Sequence, residues 1–221
     1  KKKLELEISK TSNSIESFLN VIENNNHKSI YINFKEKIEQ NIKENKISII
    51  SEIKQASPSA GIIIENYDPV EIAKVYNKKK VTCLSVLTEQ DYFKGKIYDV
   101  AKIKLANIKL PILCKDFFID KWQVPFAKAN GADAILIILA GVSDHLADEL
   151  YEEALGFNMS VIVEVHTIDE AKKALRFKDA LIGINNRNLK TLKTDINTTY
   201  DIHNVLLNHQ EPLISESGIK T

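Results

Sequence analysis

Apolar residues along this chain of 221 amino acids follow two different rhythms. In the first 46 residues they recur at helical spacing within a charged, Asn-rich background. Ile15, Phe18, Leu19 and Ile22 fit i, i+3, i+4, i+7, which predicts an amphipathic helix with Ser14 as its N-cap. Phe34, Ile38 and Ile42 form a second helical stripe with Lys and Glu opposite. Those charges read as a solvated face, and the two stripes must cover something apolar, most simply one end or flank of a larger core. From Ile47 onward the rhythm changes to short apolar runs, each ending in a polar cluster and most followed by an amphipathic stretch.

The runs are Ile47–Ile53, Val81–Leu87, Leu110–Lys115, Ala134–Leu139, Val161–Val165, Ala180–Asn185 and Leu213–Ser217. They predict strands over Ser48–Ile53, Val81–Leu87, Pro111–Lys115, Asp133–Leu139, Ser160–Glu164, Ala180–Ile184 and Pro212–Ser215. The stretches between them carry helix punctuation. Pro69–Lys79 has Asp68 as cap and Pro69 in its first turn. Ile97–Ala106 is helical by periodicity. Asp120–Asn130 is closed by Gly131. Ser143–Leu155 has Ser143 as cap and Gly156 beyond its end. Thr167–Phe177 opens on a capping box, Thr167 with Glu170. Asp195–Leu207 is the last predicted helix.

Near-continuous Val, Ile and Leu in the strands indicate a parallel sheet covered on both faces. A doubly wound open sheet shares that alternation, but it would place a Gly-rich phosphate loop after the first strand. Here that strand ends Glu-Ile-Lys with no glycine cluster, which favours an α/β, (β/α)8 TIM barrel. Residues 1–46 are then a helical extension packed on the barrel, and 47–221 supply strands one to seven. Closure requires an eighth strand, so roughly 25 to 35 further residues are expected beyond Thr221, the length of one strand-plus-helix unit. The chain opens Lys-Lys-Lys without Met, so its native start is expected upstream.

Strand side chains alternate direction, which sorts the run ends by face. Glu52 and Lys54 share a face, with Ile53 opposite. Lys115 lies opposite Cys114, and Glu164 opposite Val163 and Val165. If the apolar members face the helices, these ionisable groups meet inside the barrel at its C-terminal rim, where such barrels keep their active sites. A layer of buried ion pairs is the alternative reading. Lys115 beside carboxylates is a credible general acid, with Glu164 as complementary acid or base. Ser57-Pro58-Ser59 with Gly61 forms a polar turn after strand one. Ser217-Gly218 follows strand seven, where barrels often begin a phosphate site. His166 reads as a packing or hydrogen-bonding residue, and Trp122 as helix or core packing.

Composition narrows the field further. The chain is 44% apolar, enough for a substantial core, and its 30 basic residues match 30 acidic ones. That balance argues against a nucleic-acid or anionic-membrane surface. No apolar run approaches the ~18 residues of a membrane span, and no signal peptide is visible. The expected location is the cytoplasm. Cys83 and Cys114 lie inside predicted strands and read as buried reduced thiols. No Cys/His cluster suggests zinc, and no dinucleotide glycine fingerprint is present. Arg176 and Arg187 are the only arginines, which singles out the guanidinium of Arg187 after strand six.

Seven segments in register resemble one family: Ser-Ile-Ile-Ser-Glu-Ile-Lys-Gln-Ala-Ser-Pro-Ser (48–59), Leu-Ser-Val-Leu-Thr-Glu (84–89), Pro-Ile-Leu-Cys-Lys-Asp-Phe (111–117), Gly-Ala-Asp-Ala-Ile-Leu (131–136), Val-Glu-Val-His (163–166), Gly-Ile-Asn-Asn-Arg-Asn-Leu (183–189) and Ser-Glu-Ser-Gly-Ile (215–219). The family is indole-3-glycerol phosphate synthase. The likeness runs from about residue 47 to the end, whereas residues 1–46 match only in being helical, like the family's extension over the barrel mouth. The chain departs from the family at Lys80-Val81, where Gly-Ala is usual, and lacks the Gly-rich turn after strand eight.

The resemblance implies a lyase of tryptophan biosynthesis that needs no metal or organic cofactor. It would close the indole ring of 1-(2-carboxyphenylamino)-1-deoxyribulose 5-phosphate with loss of carbon dioxide and water. It implies Lys115 as general acid to the ribulose carbonyl and Glu164 as acid/base partner in the dehydration. Lys54 would hold the substrate's anionic groups, and Glu52 would orient the lysines and help with proton transfer, whose division between Lys54 and Lys115 the sequence leaves open. Asn185 and Glu216 would position the hydroxyls and the aromatic amine. Ser57, Ser217 and Gly218 would line the substrate and phosphate pocket, with Ser217 among the catalytic set and Arg187 beside them. The expected partner is a phosphorylated small molecule, with no nucleic acid and no membrane. A monomer or weak homodimer is expected, with room for association with other tryptophan-pathway enzymes. A sugar-phosphate isomerase barrel and a catalytically dead scaffold are the competing readings. The Glu-Ile-Lys and Lys-Asp-Phe pair tells against the first, and retention of Lys115 and Glu164 against the second.

Overall fold

Strand after strand, each apolar run pairs with the run next to it in sequence. The computed structural model describes residues 15–25 and 32–219. Strands β1 (Ile50–Ile53), β2 (Cys83–Leu87), β3 (Ile112–Lys115), β4 (Ala134–Ile138), β5 (Ser160–Val165), β6 (Leu181–Asn185) and β7 (Leu213–Glu216) form one parallel sheet in chain order. Helices α1 (Ile15–Asn25) and α2 (Phe34–Lys43) precede it. Helices α3 (Pro69–Lys78), α4 (Ile97–Leu105), α5 (Gln123–Ala129), α6 (Asp144–Gly156), α7 (Ile168–Ala174) and α8 (Asn197–His203) connect the strands. This is the wall of a (β/α) TIM barrel, and among the described residues no eighth strand joins β7 to β1.

The parity read from the sequence separates two apolar layers. Outward residues such as Ile53, Val86, Cys114, Ile137, Val163 and Ile184 pack with helix residues including Ala73, Ile103, Val124 and Leu150. Inward residues Cys83, Leu113, Ala134, Leu136, Ile162 and Leu181 form a separate cluster with Phe34 and Ile38. Cys83 and Cys114 are free and buried, and burial pushes both thiols well above their ordinary pKa.

Helix α2 closes the end of the barrel where the strands begin. Phe34 is fully buried and Ile38 nearly so. Asn33 caps the helix by accepting from the Glu36 N–H, and it also accepts from the Ser160 hydroxyl at the start of β5 (3.2 Å). The Lys35 N–H donates to that same hydroxyl (3.1 Å). Asn41 donates to Thr82 Oγ1 just before β2 (3.0 Å), and Lys35 Nζ pairs with Glu211 just before β7 (2.8 Å). The family likeness suggested helices over the mouth, but α2 stoppers the opposite end, because its apolar stripe matches the apolar inward residues there. Helix α1 packs against α5 on the flank. Its proposed cap, Ser14, lies outside the described residues.

Local chemistry explains where element bounds differ from the sequence pattern. Helix α5 starts at Gln123 rather than Asp120, because Pro125 has no N–H to donate to the Lys121 carbonyl; the turn before it is held by Gln123 Oε1, which accepts from the N–H groups of Ile119 and Asp120. Helix α6 retains Gly156, and the left-handed residue that ends the turn is Asn158 (φ 53°). The capping box of α7 is only half formed: Thr167 accepts from the Glu170 N–H, but Glu170 reaches back one residue further, to the His166 N–H (2.7 Å). Asp68 caps α3 as expected, with Pro69 in the first turn.

Candidate active site

At the C-terminal ends of the strands the interior turns from apolar to ionic. Glu52 on β1, Lys115 on β3, Glu164 on β5, Asn185 on β6 and Glu216 on β7 all sit at inward positions, with Lys54 immediately after β1. Lys115 Nζ lies 3.2 Å from Glu216 Oε2 and 3.6 Å from Glu52 Oε2. Glu52 Oε1 in turn pairs with the Lys54 ammonium. Glu164 Oε1 accepts from Asn185 Nδ2 (3.1 Å) and lies 3.1 Å from His166 Nε2. Its other oxygen, Oε2, makes no hydrogen bond or ion pair among the described residues. Parity on separate strands thus delivers the predicted side chains to one rim.

Burial and charge compete at each group. Burial works against the Lys115 ammonium, but the carboxylates of Glu216, Glu164 and Glu52 outweigh it and hold the pKa above the ordinary lysine value. Burial also raises Glu52, yet Lys115 and Lys54 bring it below the usual carboxylate range. Glu164 is likewise lowered on balance, because the His166 contact, Lys115 and Asn185 overcome burial. Glu216 goes the other way: burial, with repulsion from Glu164 and Glu52, exceeds the pull of Lys115 and raises it. Carboxyl groups with divergent affinities for protons, around one charged amine, suit acid–base chemistry.

A glycine makes this crowding possible. Gly183 faces inward on β6, and a Cβ there would meet Glu216 Oε1 at 2.3 Å and Ile162 Cγ2 at 3.1 Å. Bare backbone at this position gives the Glu216 carboxylate its seat beside Lys115.

The remaining predicted residues occupy the loops around the cluster. Ser57 lies on a two-stranded ribbon, Ala56–Ser57 with Gly61–Ile62, and accepts from the Ala60 N–H (3.2 Å). Arg187 donates its N–H to Asn185 Oδ1 (3.0 Å), and its guanidinium reaches Ser59 Oγ (3.4 Å), tying the loop after β6 to the loop after β1. Ser217 and Gly218 both adopt left-handed backbone (φ 65° and 73°), and the Ser217 carbonyl accepts from Asn186 Nδ2 (3.2 Å). Of these four, Arg187 touches the inward cluster through its N–H to Asn185, and Ser57, Ser217 and Gly218 make no direct bond to it among the described residues, so together they form a polar rim around it. Sequence reading passed over Gly183 and Asn186 and read His166 as a packing or hydrogen-bonding residue. The buried Asn186 amide also donates to Ser215 Oγ and accepts from Thr199, which fixes the loops after β6 and β7. No helix of the described residues is long and apolar enough to cross a membrane.

Comparison with known proteins gives the family. The family model for indole-3-glycerol phosphate synthase matches residues 1–221. An indole-3-glycerol phosphate synthase of Exiguobacterium sibiricum is 45% identical over 187 residues, covering 83% of this chain and 70% of the relative. One from Zymomonas mobilis subsp. pomaceae is 42% identical over 193 residues, covering 85% and 70%. Among solved structures, the tryptophan synthase a2b2 complex of Pyrococcus furiosus contains a chain with a TM-score of 0.55 at 12% identity, covering 78% of this chain and 79% of that one. That likeness carries the fold alone.

Proposed function

The chain belongs to the indole-3-glycerol phosphate synthase family, and from that membership we infer how its residues divide the work of an enzyme of tryptophan biosynthesis. The reaction closes the indole ring of 1-(2-carboxyphenylamino)-1-deoxyribulose 5-phosphate and releases carbon dioxide and water. In our reading the chain is a carbon–carbon lyase of the carboxy-lyase type. Residues 1–46 are its helical extension and 47–221 its barrel, and it works in the cytoplasm on a phosphorylated small molecule.

Lys115 is the general acid. As the ring carbon attacks the ribulose carbonyl, negative charge grows on the carbonyl oxygen, and the Lys115 ammonium stabilises it and gives it a proton. Its raised pKa keeps that proton in place until an alkoxide forms. Glu52 orients both lysines, and Lys54 faces the substrate's anionic groups. Dehydration then requires one proton given to the departing hydroxyl and one taken from the ring system. Glu164, with Oε2 free, serves that exchange. Asn185 and Glu216 position the hydroxyls and amine. Ser57, Ser217, Gly218 and Arg187 line the phosphate side. The observation that carries this reading is Lys115 held between Glu216 and Glu52 on the rim that Glu164 shares.

Incubating the full-length protein with the carboxyphenylamino-deoxyribulose phosphate should produce indole fluorescence with time. A folded protein that turns over none of this substrate would refute the assignment. Gly183→Ala supplies a finer test. The added methyl displaces the Glu216 carboxylate, and turnover is expected to fall by about 10-fold to 100-fold, as for a catalytic group misplaced by about an ångström. Cooperative unfolding should persist, since the displaced atom is a side-chain end. Wild-type kcat in this variant would mean that Glu216 tolerates the shift.

A further inference from the structure

His166 lies just past β5, on the strand that carries Glu164, and the assigned chemistry leaves it without a task. Its ring is buried, with only 8% of the side chain exposed. Nε2 lies 3.1 Å from Glu164 Oε1, and Nδ1 lies 3.5 Å from Glu170 Oε2. The His166 N–H donates to that same Glu170 oxygen (2.7 Å), so Glu170 holds the residue by its backbone and faces the ring as a nearby charge, while neither ring nitrogen makes a hydrogen bond of good geometry. Glu170 is fixed in turn by the first turn of α7, where its N–H donates to Thr167.

We propose that His166, clasped between Glu164 and Glu170, is a positioning residue that sets the Glu164 carboxylate in place and supplies its counter-charge. Rotation of Glu164 is limited at one oxygen by His166 and Asn185 together, which leaves Oε2 as the oxygen without a partner among the described residues. A cation between two carboxylates also balances a strand end that would otherwise bury like charges. The ring's proton affinity fits this placement: burial lowers it, but Glu164 and Glu170 more than compensate and push it up to about 9. The two flanking carboxylates thus favour the charged ring at neutral pH. The charged groups facing Glu164 are His166 from its own strand, Lys115 from β3 and Glu216 from β7. Those facing His166 are Glu164 and Glu170.

This proposal rests on the acid–base role given to Glu164, and its test separates the two. The variants are His166→Gln, Glu170→Gln and Glu164→Gln, compared with wild type in kcat, KM and the pH dependence of kcat/KM. Removing a cation beside Glu164 makes that carboxylate easier to protonate. The acidic limb of kcat/KM should therefore move to higher pH in His166→Gln, with kcat down about tenfold or more and KM nearly constant. Glu170→Gln should move the limb the same way by less, since it leaves the imidazole in place but loosens it. Folding of each variant is checked by circular dichroism and thermal melting, and Glu170→Gln provides the readout if His166→Gln does not fold. An acidic limb and kcat equal to wild type in a folded His166→Gln, with Glu164→Gln inactive, would overturn the positioning role alone. Near-normal turnover in Glu164→Gln would instead overturn the reading of Glu164 on which the proposal stands.

Discussion

Replacing Lys115 with alanine is expected to lower turnover by about 10²–10⁴-fold, the range for loss of a general acid. The ammonium is the hub of the rim, within 3.2 Å of Glu216 and 3.6 Å of Glu52. Lys54 is engaged with Glu52 on the other side. Without Lys115, Glu216 faces Glu52 and Glu164 with its chief counter-ion gone. Its proton affinity is already raised, so it should bind a proton rather than break the fold. Lys115→Met separates charge from volume: it keeps the apolar stem and should be as inactive as the alanine variant. Circular dichroism, thermal melting and turnover of both variants decide the matter. A near-normal kcat in either would remove Lys115 from the role of acid.

Phe34→Ala should cost about 3–5 kcal/mol of stability, as measured for large aromatic-to-alanine changes in packed cores. Phe34 is fully buried at the end of the barrel remote from the rim, against Ile38, Leu113, Leu136 and Leu181. Truncation leaves a cavity that the strands cannot collapse to fill, since each is pinned by ladder bonds to its neighbours. A loss of this size is a large share of the 5–15 kcal/mol typical of a domain. Urea unfolding should show a clear drop in midpoint, while kcat measured well below the melting range stays within a few-fold of wild type. An unchanged midpoint would mean that α2 is not a stopper.

The barrel wall was legible because period-two alternation needs only neighbouring residues. Ile53 between Glu52 and Lys54, Cys114 before Lys115, and the valines flanking Glu164 each assign a face without knowledge of the fold. What escaped depends on partners far away in sequence. Gly183 matters only because Glu216 comes to rest against it, and nothing in Leu-Ile-Gly-Ile-Asn announces that. A single histidine after a strand carries no pattern, so His166 acquired meaning only when Glu164 and Glu170 were found on either side of it. The spacing of Phe34, Ile38 and Ile42 predicted a helix correctly, yet periodicity says nothing about which end of a barrel that helix covers. Helix α5 began late because Pro125 has no N–H to bond the Lys121 carbonyl, a local signal that the Asp120 reading passed over.

The alternation of cations and carboxylates around Lys115 also bears on how the cycle finishes. The substrate enters with a phosphate and a carboxylate, and the carboxylate departs as an uncharged gas. In the roles proposed for them, the Lys54 and Lys115 ammonium groups stay in place at the ends of β1 and β3. Indole-3-glycerol phosphate therefore meets the same positive groups with one anion fewer, and an attraction worth up to about 4 kcal/mol at close range in a medium of intermediate polarity is gone. On these assignments the chemical step itself loosens the enzyme's hold, and decarboxylation begins the ejection of the product.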